Sequence, residues 1–183
     1  HVDRTLTPLP TQNVDTGMGV ERLAAIMQGV RSVYETDGYQ AIMDWIAAES
    51  GVAFGESEEA TKAHRILADH GRGMTFLVGD GVVPSNEGRG YVLRRIIRRA
   101  VQQARTIGLD DLWRMTDVVA EQMGPWYPEL VEHGERIQEI VKAEEERFSQ
   151  TLERGLKLFE EVAAKAAISG EDAFLLHDTY GFP

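Results

Sequence analysis

EGRGYVLRRIIRRAVQQARTIG, residues 87–108, is the stretch that decides the fold class. At 100° per residue, Leu93, Ile96, Ile97, Ala100, Val101 and Ala104 fall within an arc of about 140°, as a helix half-sunk in a core requires. Arg94, Arg95, Arg98, Arg99 and Arg105 fall within a similar arc on the opposite side. Gly108 closes the helix. The arginine arc has two readings: a solvated face paired with glutamates elsewhere, or a phosphate-contacting face, since the planar guanidinium fork fits phosphate oxygens. Just ahead, VVPSNEGRGY offers Ser85 or Asn86 as a helix cap; an asparagine beside a basic face can equally read a base edge.

Outward from this helix the chain reads as almost entirely helical. DGYQAIMDWIAAESG puts Ile42, Trp45 and Ile46 on one stripe. GESEEATKAHRILADHG begins with a Ser57 cap and two acids, and is expected to end at Gly71. LDDLWRMTDVVAEQMGP is stopped by Gly124 and Pro125. Residues 132–168 read as one long helix with Ile137, Ile140, Val141, Phe148, Leu152, Phe159 and Val162 on one face and KAEEERF as its solvated side. GEDAFLLHDTYGFP reads as a short helix and a turn.

The beginning differs. Pro8 and Pro10 exclude a helix interior, and the alternation of Val14, Thr16 and Met18 predicts a strand. Gly17 and Gly19 break it, and Val20, Leu23, Ala24 and Met27 then recur at helical spacing up to Gly29. The expected boundary between this strand-and-helix unit and the helical domain lies near residues 30–37, giving units 1–32 and 33–183. Within NVDTGMGVERLAAIMQG, residues 13–29, Asp15, Gly17, Gly19 and Arg22 form a compact set. The glycines admit a flat ligand to the backbone, and an arginine in a first helical turn reaches a phosphate that the helix N-terminus already favours. The alternative is a glycine-rich turn with an exposed acid.

The chain has 183 residues, no cysteine and a net charge of −11. No disulfide or thiolate metal site is possible, which fits a reducing compartment. No run of 18 apolar residues is present, so no membrane span is expected. Residues 89–105 hold six arginines and no acid, so the rest of the chain carries −17. An acidic body with one basic segment points to an anionic partner met by that segment. His64 and His70, six apart and without cysteine, do not suggest a metal site. Trp45, Trp113 and Trp126 read as core or interface residues, and Tyr180 is open.

Taken together, VDTGMGVERLAAIMQGV, VVPSNEGRGYVLRRIIRRAV, EEERFSQTLERGL and LHDTYGFP resemble, in order and spacing, signatures of the alanyl-tRNA synthetase family of class II aminoacyl-tRNA synthetases. The first resembles motif 3, and the others successive parts of the helical tRNA-recognition domain. The resemblance runs from about residue 9 to the end. It implies a mainly α fold: a helical tRNA-recognition domain preceded by a strand-plus-helix remnant of an antiparallel-sheet catalytic domain. It implies a fragment, with motifs 1 and 2 upstream and an editing domain, bearing zinc-type ligands, downstream.

By the same resemblance, Arg22 takes the ATP phosphates, Asp15 holds the amino group of alanine, and Gly17 and Gly19 lie against the nucleotide. Asn86 and Asp178 resemble the pair that reads a G·U wobble in the acceptor stem of alanine tRNA, with a helix cap and a turn acid as the alternatives. Arg89, Arg94, Arg95, Arg98 and Arg99 become tRNA contacts. ATP with magnesium would serve the parent enzyme, zinc only the absent editing domain, and no cofactor is expected on this stretch alone. The implied partners are tRNA, ATP and alanine, with no DNA and no membrane, in the cytoplasm. Two other readings stand beside this one: a helical interaction module using its arginine face on an acidic protein, and a non-catalytic RNA-binding paralogue.

Overall fold

The computed structural model describes residues 7–163 and 169–174. Its elements are α1 (Val20–Gln28), a 3-10 turn (Val33–Glu35), α2 (Asp37–Ser50), α3 (Glu58–Gly79), α4 (Gly88–Thr106), a second 3-10 turn (Leu112–Arg114), α5 (Met115–Met123), α6 (Pro128–Glu132), α7 (Gly134–Ala163) and α8 (Gly170–Phe174). The mainly α expectation holds. The expected strand does not: no strand occurs among the described residues, and Val14, Thr16 and Met18 lie in exposed, irregular backbone. Alternation alone cannot make a strand, because its backbone groups need a neighbouring ladder.

The central element is α3, which packs against α2, α4, α5, α6 and α7. Ser57 caps it, its Oγ accepting from the Ala60 N–H at 3.0 Å. Fully buried Ile42 and Ile46 of α2, Leu67 and Met74 of α3, Leu93 and Ile97 of α4, Met115 and Val119 of α5 and Val141 of α7 meet in one core.

Contrary to the sequence reading, α3 does not end at Gly71; it continues for another two turns. Gly71 is buried where α3 meets α5, and a Cβ there would stand 2.0 Å from Sδ of the fully buried Met115. The glycine is a close-contact residue, and the packing it permits outweighs its poor helix propensity. Gly73, two residues on, faces open space. The two positions therefore predict opposite signs. Gly73→Ala should raise stability by up to about 1 kcal/mol through helix propensity. Gly71→Ala gains the same term but overpacks a closed contact, at about 1–3 kcal/mol, and should lower stability. Thermal unfolding of the two variants checks this; a Gly71→Ala protein that melts above wild type would refute the packing argument.

The long helix expected over 132–168 is α7, continuous over Gly134–Ala163, with residues 164–168 outside the described residues; its start is set by what precedes it. Pro128 opens the short α6, the chain turns at His133, and α7 then runs from Gly134 to Ala163. KAEEERF is not a solvated side throughout: Glu144 is 1% exposed.

α1 ends at Gly29, in the left-handed region at φ 67°, and buries none of its residues. Polar contacts hold it to the helical body. Gln28 Nε2 donates to Asp37 Oδ1 at 2.7 Å, and its Oε1 accepts the Asp37 N–H at 3.0 Å. Arg72 Nη2 donates to Glu21 Oε1 at 2.6 Å, while the Arg72 guanidinium lies 4.2 Å over the Tyr39 ring.

A hydrogen bond from its own backbone N–H does most to hold the Glu21 carboxyl below its ordinary 4.5; partial burial opposes this, and Arg72 adds to the lowering. A lowered carboxyl contributes stability that is full above its unfolded value and is lost as pH falls through the folded one. Amide exchange in α1, corrected for intrinsic rate, should therefore speed up relative to α3 as the solution is acidified below 4.5. Glu21→Gln should remove that pH dependence. Unchanged α1 protection through the acid range would rule the tether out.

Candidate nucleic-acid interface

The arginines of α4 form two rows with different neighbours. The inner row, Arg94 and Arg98, turns toward α7, where the buried Glu144 receives it. Arg98 Nε donates to Glu144 Oε1 at 2.8 Å, Arg94 Nε lies 3.4 Å from the same oxygen, and Arg147 Nη1 of α7 donates to Oε2 at 3.2 Å. The Arg98 guanidinium also covers the Phe148 ring at 5.0 Å. A glutamate is almost never fully buried without partners; here three arginines supply them. Glu144 lies in phase with Ile137, Val141, Phe148 and Leu152, so an acid on the apolar stripe of α7 facing an arginine-rich helix was the sequence signal for this cluster.

The outer row, Arg95 and Arg99, is exposed. Arg99 borders two hollows between α3 and α4. One, of about 290 Å³, is lined by His70, Val92, Arg95, Ile96 and Arg99. The other, of about 610 Å³, includes Lys62, Arg65 and Arg99, with Glu58 as its one carboxylate. Lys62 and Arg65 are exposed residues of α3, and the Arg65 guanidinium sits 5.9 Å from the Tyr34 ring centre and 5.7 Å from that of Phe54. The cationic strip thus spans two helices. Sequence reading missed the α3 half because its two cations are interleaved with acids along the chain, and only the fold sets them beside Arg99. Arg89 and Arg105 are exposed at the two ends of α4.

Asn86 stands at the α4 entrance. It does not cap the helix, and neither does Ser85. The N-cap position is Glu87, whose side chain makes no capping bond. Instead Asn86 Oδ1 accepts a hydrogen bond from Arg94 Nη1. The loop is pressed onto the first turn of α4. Ser85 Oγ donates to the Glu87 carbonyl at 2.9 Å, and a Cβ on Gly90 would meet the Val83 carbonyl at 2.4 Å and Ser85 Oγ at 2.2 Å. Asp178 and Tyr180 lie outside the described residues.

Asp15, Gly17, Gly19 and Arg22 share one exposed stretch entering α1. Gly17 has nothing within 4 Å of a built Cβ, so a flat ligand has room against its backbone. A hollow of about 420 Å³ borders the other side of α1 and is lined by Val20, Glu21, Ala24, Arg72, Phe76 and Trp126 among others, but not by Asp15 or Arg22. Trp126 is 74% exposed, whereas Trp45 and Trp113 pack against the core.

His64 is fully buried, its Nδ1 bonded to the Ala60 carbonyl at 2.9 Å, and His70 pairs with Asp69 at 2.9 Å. Among the described residues no group of three or more His, Cys, Asp or Glu could hold a metal ion, and no helix is long and apolar enough to cross a membrane.

Glu145, beside Glu144, serves the scaffold. Its carboxylate accepts the backbone N–H groups of Leu112 and Trp113 at 3.0 and 2.9 Å, tying α7 to the start of the second 3-10 turn. Burial pushes its carboxyl above 4.5, the two N–H groups pull it down, and Asp111 and Asp110 add to the rise.

The family model for class II (A) tRNA synthetases matches residues 1–183. An alanine–tRNA ligase of Thermotoga petrophila is 50% identical over 181 residues, covering 97% of this chain and 21% of that protein. One from Staphylococcus aureus strain JH9 is 46% identical over 188 residues, covering 99% of this chain and 22% of that protein. The chain thus spans about a fifth of the length of the curated relatives it matches.

Proposed function

This chain belongs to the class II (A) tRNA synthetase family, and from that premise we propose that it works within an alanine–tRNA ligase, which activates alanine with ATP and transfers it to alanine tRNA. Its own contribution is to bind the tRNA acceptor stem and read a G·U pair there. We place the division of labour at residues 32/33, with the motif 3 stretch before it and the helical RNA-reading unit after it, in a cytoplasmic enzyme.

The observation that carries this reading is the two-helix cationic strip of Lys62, Arg65, Arg95 and Arg99 beside the exposed Asn86. Phosphate contacts from such a strip position a duplex without specifying its sequence, and a polar side chain at its end specifies. A wobble pair leaves the guanine 2-amino group unpaired in the open minor groove of A-form RNA, where a carboxylate such as Asp178 can accept from it and an amide can address the uracil side. Arg94 and Arg98, which Glu144 engages, also support the strip from behind.

At the other end, Arg22 is the group for ATP phosphates, Asp15 for the alanine ammonium, and Gly17 and Gly19 for the nucleotide plane. ATP with magnesium supplies the pyrophosphate leaving group, and an arginine at that charge lowers the barrier to its departure.

The test is a titration of the chain against two acceptor-stem duplexes that differ only in a G·U or G·C pair. Binding that weakens steeply with salt and favours the G·U duplex is expected. Equal affinity for both duplexes, or binding only to acidic protein, would overturn the reading.

A further inference from the structure

Asn86 is exposed, yet its amide is not free to turn. Arg94 Nη1 donates to Asn86 Oδ1, and a guanidinium carries donors only. The amide must therefore show its oxygen to Arg94, which leaves its NH₂ as the half available on this exposed residue. Arg94 is itself enclosed: its side chain is 17% exposed, and its Nε, which makes no hydrogen bond, forms an ion pair at 3.4 Å with the buried Glu144. Glu144 is fixed in turn by Arg98 and Arg147. Beneath the loop, the missing side chain of Gly90 lets Val83 and Ser85 settle onto α4.

We propose that Glu144 and Arg94 are positioning residues that lock Asn86 with its amide oxygen inward and its N–H groups outward, so that this site offers RNA a hydrogen-bond donor and thereby selects a base edge bearing an acceptor. The inference rests on the reading of Asn86 as a base-contacting residue and adds which half of its amide does the reading. In the minor groove uracil and cytosine both present an O2 acceptor, but the wobble displaces the uracil, so a donor fixed at one place meets the O2 of one pair and misses that of the other.

The test uses the full chain and the same pair of duplexes. Asn86→Asp is isosteric and keeps an oxygen for Arg94, but replaces the outward N–H groups with a second acceptor. It should lose the G·U preference as completely as Asn86→Ala does. Glu144→Gln removes a negative charge from behind the strip, so affinity for the G·C duplex should hold or rise, while the G·U preference falls about five- to tenfold, the low end of what one base-edge contact discriminates. In an Asn86→Ala background, Glu144→Gln should cost no further preference, because both changes act on one contact. A merely structural glutamate would weaken both duplexes alike and in either background.

The inference is overturned if Asn86→Asp keeps the preference, since the oxygen would then be the reader. It is also overturned if Glu144→Gln leaves the preference intact while Asn86→Ala abolishes it. Asn86→Asp changes only an exposed loop residue, so it decides which half of the amide reads even if Glu144→Gln folds poorly, and Arg94→Lys, which keeps the charge but not the fork, then tests the positioning by the same fall in preference. A wild-type chain that does not separate the two duplexes would instead remove the underlying reading of Asn86.

Discussion

Replacing Arg94 and Arg98 together by alanine is expected to lower the unfolding free energy by about 3–5 kcal/mol, the cost of leaving a buried charge without its partners. Glu144 is 1% exposed and would keep only Arg147, whose side chain is 61% exposed. Arg98→Ala alone should cost about 1–3 kcal/mol, because Arg94 still faces the carboxylate. Arg99→Ala should stay within about 0.5 kcal/mol of wild type, as substitutions at exposed positions do. Urea titration separates the three by their midpoints. A domain's whole stability is about 5–15 kcal/mol, so the double variant is close to the limit of folding. Replacing Glu144, Arg94 and Arg98 together by methionine should recover most of the loss, since a buried ion cluster is no better than apolar residues of similar size. A double variant within about 1 kcal/mol of wild type would mean that Glu144 does not depend on these arginines.

The second large effect belongs to the outer row. Replacing Lys62, Arg65, Arg95 and Arg99 by alanine should flatten the log–log dependence of RNA affinity on salt by about 3, at roughly 0.7–0.9 for each phosphate no longer neutralised. Between about 1 M and 0.1 M salt, the wild type should therefore gain about a thousandfold more affinity than the variant. The fold should survive, because all four side chains are exposed, and the G·U preference should persist in whatever binding remains, because phosphates carry no sequence. If the four substitutions left the slope unchanged while Arg89→Ala or Arg105→Ala reduced it, the strip would lie along α4 rather than across to α3.

The α4 sequence made its two arcs legible, and with them the helix and its buried side. It could not say that the polar arc is itself split, because periodicity fixes an angle around an axis but not what stands at that angle. Arg94 and Arg95 are neighbours in sequence; one faces Glu144 and the other faces solvent. Gly71 was misread for a related reason. A glycine inside a helical pattern is a stop signal unless another helix needs the space, and Met115 lies 44 residues further along the chain. The strand expected around Val14 failed because a strand is a property of a pair. For the motif 3 stretch, the order Asp15, Gly17, Gly19, Arg22 was readable, but the surroundings that would close around a nucleotide are not encoded in those residues. α1, its apolar Val20, Leu23, Ile26 and Met27 exposed, offers no walls of its own.

The inward pairing of Arg94 and Arg98 also bears on how fast a partner is captured. Glu144 offsets one of the six positive charges between residues 89 and 105, drawing Arg94 and Arg98 inward, while the exposed Arg95 and Arg99 join Lys62 and Arg65 of α3. The body behind them is acidic, so the molecule carries a strong dipole as well as a net negative charge. An approaching polyanion is repelled by the net negative charge and drawn to this strip, so rotational search is shortened before contact. Such steering raises association rates and fades with ionic strength. A variant that frees the inner arginines by removing Glu144 adds positive charge yet broadens its angular spread, trading orientation at first encounter for attraction.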